Sequence, residues 1–114
     1  MSLTTAWSPF FQSTARMRGR ALQTEGKIVG IEPAEGELLR FEIEGDPTHE
    51  SAFELEDKRL SASCTCETFE GGRYCEHIWG ALVMVQHDPS VFGEAGQKML
   101  RHRPRPPKAR RRLG

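Results

Sequence analysis

Three cysteines and one histidine constrain this chain more than anything else in it. Residues 63–77 read Ser-Cys-Thr-Cys-Glu-Thr-Phe-Glu-Gly-Gly-Arg-Tyr-Cys-Glu-His and hold every cysteine of the protein. The spacing is C-x-C, eight residues, then C-x-H. Three thiolates and one imidazole are the ligand set of a closed tetrahedral zinc site, and two short ligand pairs separated by a loop are the usual way to build one. Residues two apart on a strand share a face, so Cys64 and Cys66 can reach one ion. Cys75 and His77 are also two apart, but such residues do not face each other on a helix. Cys75 is therefore expected just before a helix or at its first residue, with His77 in the first turn. Gly71-Gly72 lets the connecting loop turn sharply, because glycine accepts positive φ.

Two other readings use the same residues. Free cysteine packs as a small hydrophobe, and C-x-C can serve as a redox pair. An odd cysteine count does not complete a disulfide framework. Three thiols and an imidazole within fourteen residues are more than packing alone would gather. The ligand set predicts one structural zinc ion on Cys64, Cys66, Cys75 and His77.

At 114 residues there is room for one small domain, which buries proportionally little surface and gains from a metal staple. The Met1-Ser2-Leu3-Thr4-Thr5 start lacks the basic and apolar regions of a signal peptide, and the apolar run Ile78 to Val85 is too short to span a membrane. The expected setting is reducing and cytoplasmic, where clustered thiols favour metal over disulfide. The formal net charge of +0 hides a division: all 16 acidic residues precede Gln97, whereas half of the 16 basic ones follow it. An acidic body with a basic end suggests an arm that contacts a polyanion.

Ser8-Pro9 reads as a helix cap followed by proline in the first turn. Phe10, Thr14, Met17 and Ala21 recur at helical spacing, so a helix is expected over about Pro9 to Arg18, weakened by Gly19. Its Arg16, Arg18 and Arg20 are either a solvated face or a phosphate contact. Lys27 to Ile31 reads as a short strand. Leu38 to Glu44 alternates, with Leu39, Phe41 and Ile43 inward, and Glu50 to Glu56 alternates again, with Phe53 and Leu55 inward. Asp57-Lys58-Arg59 makes a tight reversal. A fourth strand from Leu60 to Thr65 places Leu60, Ala62, Cys64 and Cys66 on the core face. A one-residue slip would send both thiols to solvent. A second helix should run from His77 to about Gln86, burying Ile78, Ala81, Leu82 and Val85, with Trp79 on its flank as a core-edge residue. Asp88-Pro89 stops it. His49 and His102 have no partner-like spacing and are expected exposed. The expected fold is α+β: an N-terminal helix, an antiparallel sheet of about four strands, a zinc knuckle and a C-terminal helix over residues 1–95. Residues 96–114, rich in proline and arginine, read as an extended tail or the start of a linker.

Cys64-x-Cys66, Cys75-x-His77 and the following Ile78-Trp79-Gly80-Ala81-Leu82 resemble the SWIM zinc finger, a family found in Snf-type chromatin-remodelling helicases, Mutator-type transposases and some ubiquitin-system proteins. Arg18-Gly19-Arg20, with Gly26-Lys27-Ile28-Val29 after it, is similar to the lead-in of the helicase-associated members. The resemblance runs from about residue 10 to residue 86 and implies binding to DNA or to protein, with an ATPase domain in the same polypeptide or as a partner. A DNA-bound relative would be nucleoid- or chromatin-associated.

The residues themselves offer little catalysis. A catalytic zinc keeps a position for water, whereas here a fourth protein ligand is present. No phosphate-loop sequence occurs, since Gly19 to Lys27 has the wrong spacing and no following Ser or Thr. The expected function is a zinc-stabilised module that binds DNA through Arg16, Arg18, Arg20, Lys98, Arg101, Arg103, Arg105, Lys108, Arg110, Arg111 and Arg112. The alternative is a zinc-stabilised module that docks on protein. No catalytic residue is assigned.

Overall fold

Alternating apolar residues build the sheet. The computed structural model describes residues 2–107. Strands β1 (Ile28–Ile31), β2 (Leu39–Ile43), β3 (His49–Glu56) and β4 (Arg59–Cys64) form an antiparallel meander, and a two-residue strand β5 (Arg103–Pro104) adds parallel to β4, giving the order β1-β2-β3-β4-β5. The register sets Leu39 opposite Phe53, Phe53 opposite Ala62 and Leu55 opposite Leu60. Leu39, Phe41, Ile43, Phe53, Leu60, Ala62 and Cys64 are all buried on one face. The α+β class holds, with a mixed sheet of five strands rather than an antiparallel one of four. Leu55 departs from expectation: it is 40% exposed. It shares the inner face, but it lies next to the Asp57-Lys58 reversal, at the end of the core row. Both turn residues have positive φ, 47° and 66°, as a two-residue hairpin with the twist of its strands requires.

Among the described residues five α-helices complete the fold: α1 (Leu3–Trp7), α2 (Ser13–Thr24), α3 (Glu67–Glu70), α4 (Glu76–His87) and α5 (Gly93–Arg101). In α4, Ile78, Ala81, Leu82 and Val85 are fully buried, as their spacing predicts. The N-terminal region differs from the expected helix over Pro9 to Arg18. Pro9 lies in a short 3-10 turn, Ser8–Phe10, and Phe11 is extended, with φ −124° and ψ 143°. That break drops Phe11 into the core, 5.5 Å from the Tyr74 ring and 4.9 Å from Trp79. Before it, α1 buries Leu3 and Trp7, and Trp7 meets Phe53 edge-on at 5.8 Å. The Thr4 amide and hydroxyl both donate to Gln86 Oε1, at 2.6 and 2.8 Å, fastening α1 to the end of α4.

Helix α2 runs through Gly19 rather than stopping near it. A Cβ at Gly19 would stand 2.6 Å from the Glu76 carbonyl oxygen and 2.8 Å from the Gly80 nitrogen. Gly80 answers it on the other helix, where a Cβ would meet Gly19 and Ile28. The two glycines thus let α2 and α4 cross backbone to backbone, which offsets their poor helix propensity.

The tail expected from Gly96 gives way to folded chain as far as Arg105. Gly96 sits inside α5, where its missing Cβ lets the helix lie against Pro89 and Phe92, and Met99 is fully buried. Beyond it the Arg105 amide donates to the Leu60 carbonyl at 2.7 Å. The Tyr74 hydroxyl donates to the Arg105 carbonyl at 2.6 Å, and burial holds that phenol protonated by pushing it up to about 12. Lys108, Arg110, Arg111 and Arg112 lie outside the described residues.

Gly19→Ala tests the helix crossing. Overpacking costs about 1–3 kcal/mol and the gain in helix propensity returns at most ~1 kcal/mol. The variant should melt several degrees lower; an unchanged or higher thermal midpoint would show that the helices do not need the close approach.

Candidate metal centre

The extended backbone of β4 delivers the first two ligands. Cys64 is the last residue of β4, and Cys66 remains extended, φ −87° and ψ 163°, as the residue capping α3. The strand itself ends one residue earlier than expected, but the extended path keeps both sulfurs on the core side, and both are buried. The loop then reverses through Gly72, at φ 91°. Cys75 caps α4 and His77 falls in its first turn, as the spacing requires.

The four side chains converge. One ligand atom from each of Cys64, Cys66, Cys75 and His77 lies within 4.8 Å of every other. Cys64 Sγ stands 3.6 Å from His77 Nδ1. A tetrahedron with arms of about 2.3 Å to sulfur and 2.1 Å to nitrogen has sulfur–nitrogen edges of roughly 3.6 Å. All three cysteines are free thiols. The donor set, its burial and this edge length fit zinc bound through Nδ1 of His77.

Without a cation the cluster resists full deprotonation. Cys64 and Cys75 hydrogen-bond to the Cys66 sulfur and, with the Phe69 amide, hold its thiol far below the ordinary range despite burial. Cys75 is pushed far up by its contacts with Cys64 and Cys66 and by burial. Burial alone would lower the His77 imidazole, but the facing Cys64 and Cys66 sulfurs outweigh it and push His77 up to about 10. Metal ligation needs thiolates and a neutral imidazole, so zinc binding releases protons from this cluster. With four protein ligands the ion has no open position, which is the coordination of a structural zinc.

The start of β3 braces the knuckle from outside. The Thr65 amide donates to the Glu50 carbonyl at 3.1 Å, and the Glu50 amide donates to Thr65 Oγ1 at 3.1 Å. His49 Nδ1 lies 3.3 Å from the same hydroxyl, and its ring packs on the His77 ring at 4.6 Å, tilted by 40°. Sequence reading missed His49, which is half-buried rather than exposed; only the strand register brings it beside the ligand. Glu76, next to both C-terminal ligands, turns to Arg18 at 3.9 Å.

The cations expected to touch nucleic acid fall into separate groups. Arg16 and Arg20 line one groove between α1 and α2, whereas Arg18 faces Glu76. Lys98 pairs with Glu94 at 4.0 Å. Arg105 is pinned between Glu56 and Asp57, at 3.7 and 3.8 Å. Arg101 and Arg103 are exposed.

The geometry defines a structural Cys3His zinc site that joins a strand end to a helix start. Residues 53–86, from within β3 through the ligands to the last turn of α4, match the family model of the SWIM zinc finger, and that match together with the Cys3His cluster supports one structural zinc ion. No curated protein and no solved structure matches the chain.

His49→Ala should leave the fold in place and release zinc to a chelator several-fold faster, since an aromatic contact of this kind contributes about 0.5–1.5 kcal/mol. His49→Phe should restore slow release. An unchanged rate in the alanine variant would remove His49 from the site's support.

Proposed function

We propose that this chain is a binding module rather than an enzyme, and that it contacts the phosphate backbone of DNA. The observation that supports this is the distribution of cations without a carboxylate partner. On an otherwise acidic body, Arg18, Lys27, Arg40, Lys98 and Arg105 are paired, while among the described residues half-buried Arg16 and exposed Arg20 on α2, exposed Arg101 and Arg103 near the C-terminus, Lys58 and Arg59 at the β3–β4 reversal and Arg73 in the knuckle loop are not. Lys108, Arg110, Arg111 and Arg112 follow in sequence. The opposite sheet face carries Glu42, Glu50 and Glu54 and would repel phosphate. Three thiolates and a neutral imidazole leave the zinc centre with a net charge of −1, so the metal itself does not attract an anion. Zinc here supplies rigidity.

The SWIM match supports the same class of function. On the resemblance of the lead-in, we place the module in the service of an Snf-type helicase or ATPase, in one polypeptide or as its partner, in the cytoplasm on the nucleoid or on chromatin. A second reading, docking on protein, is favoured by Met17, an apolar side chain 73% exposed on α2.

Because α5 and β5 are part of the folded body, the informative truncation falls after Pro107. The intact chain should bind duplex DNA weakly and without sequence preference, with a log–log salt slope of about −0.9 per phosphate neutralised. The chain ending at Pro107 should lose most of that affinity. Equal affinity of the two chains would remove residues 108–114 from the interface, and no binding at low salt would favour protein docking.

A further inference from the structure

We infer that the groove between α1 and α2 is a seat for a phosphodiester of a nucleic-acid backbone, with Arg16 and Arg20 as its charged contacts. This rests on the nucleic-acid function proposed above and assigns it one contact site on the folded body, beside the C-terminal cations. Arg16 and Arg20 are four residues apart and share a face of α2. With Thr5, Ser8, Met17 and Trp79 they line an open groove of about 520 Å³. No acidic side chain lines it, on a body in which acidic residues outnumber basic ones by two to one before Gln97.

The local hydrogen bonding is suited to an anion. Arg16 Nη1 donates to Ser8 Oγ, which orients the guanidinium along the groove and leaves its other N–H groups and the Ser8 hydroxyl proton available. Arg20 is exposed and meets no carboxylate among the described residues. Arg18, between them in sequence, points away to Glu76. The three arginines that look like one cluster in the sequence are therefore two contacts and one ion pair. The Gly19–Gly80 crossing holds α2 against the zinc helix, so the two guanidinium groups are mounted on a rigid element.

The groove favours backbone over base. Trp79 is only 6% exposed and offers no face for stacking, while the exposed Met17 gives an apolar surface suited to a sugar. Arginine and hydroxyl donors on phosphate fix position without reading sequence.

The test uses the full zinc-loaded chain and a fluorescent DNA duplex, with anisotropy measured at several salt concentrations. Arg16→Gln combined with Arg20→Gln should weaken binding about tenfold at low salt and flatten the slope by roughly 0.9 per arginine removed. Arg18→Gln should stay within about twofold of wild type, as expected for an exposed ion pair. Inorganic phosphate should compete no better than chloride at equal ionic strength. Zinc content checks folding, and Arg20→Gln alone serves if the double variant loses metal. A double variant that binds like wild type, while the chain ending at Pro107 does not bind, overturns the groove and leaves the nucleic-acid function standing. Absence of binding by the wild-type chain overturns both. Selective competition by inorganic phosphate overturns the polymer assignment in favour of a free-anion site.

Discussion

The tie between the end of β4 and the start of α4 is what the rest of the molecule leans on. Cys64 ends the strand and Cys66 follows it on an extended path, Cys75 caps the helix and His77 lies in its first turn, and a single zinc ion joins them. Helix α4 then ties the core together: its buried face covers the sheet, its Gly80 receives α2, and its Gln86 fastens α1. Tyr74, one residue before Cys75, packs against Trp7, Phe11 and Phe69 and holds the backbone at Arg105, just after β5, through its hydroxyl. The N-terminal helices and the C-terminal strand thus meet at the residues that flank the metal. A core of this size has little surplus stability, so a four-ligand tie at the junction has leverage over all of it.

Charge divides along the same architecture. The outer face of the sheet carries Glu42, Glu50 and Glu54, and on the helical layer Arg16 and Arg20 have no carboxylate partner among the described residues. Placing the metal at the core end of β4 keeps it away from both surfaces. On the proposed function, zinc sets the shape and side chains on α2 and beyond α5 supply the contacts, so substitutions at Arg16 and Arg20 are expected to read as binding effects and substitutions at the cysteines as folding effects.

The ligands were legible in the sequence because their chemistry is dense and their spacing is local. The alternation of Leu39, Phe41 and Ile43 was legible for the same reason: period two over a few residues leaves one face to bury. What escaped depended on partners distant in the chain. Gly19 reads as a helix weakness until Gly80 is placed across from it. His49 has no spacing relation to His77, and only the pairing of β3 with β4 brings the rings together. Leu55 follows the inward pattern of Phe53, but the position where the core row stops is not written in that pattern. Residues 96–105 looked like a tail because glycine and proline were read for their propensities. In place, Gly96 is a contact and Pro104 sits at a sheet edge, where a missing N–H costs little. Helix α1 is five residues long, too short for periodicity to register.

The central claim is that the metal is part of the folding free energy rather than an ornament on a stable core. Amide exchange of the protein with one equivalent of zinc and after chelation under reducing conditions tests it most directly. Protection in α4 and in β4 should collapse on removing zinc, with the thermal midpoint falling alongside, and both should return when one equivalent is restored. Retention of α4 protection and of the thermal midpoint in the zinc-free chain would contradict it.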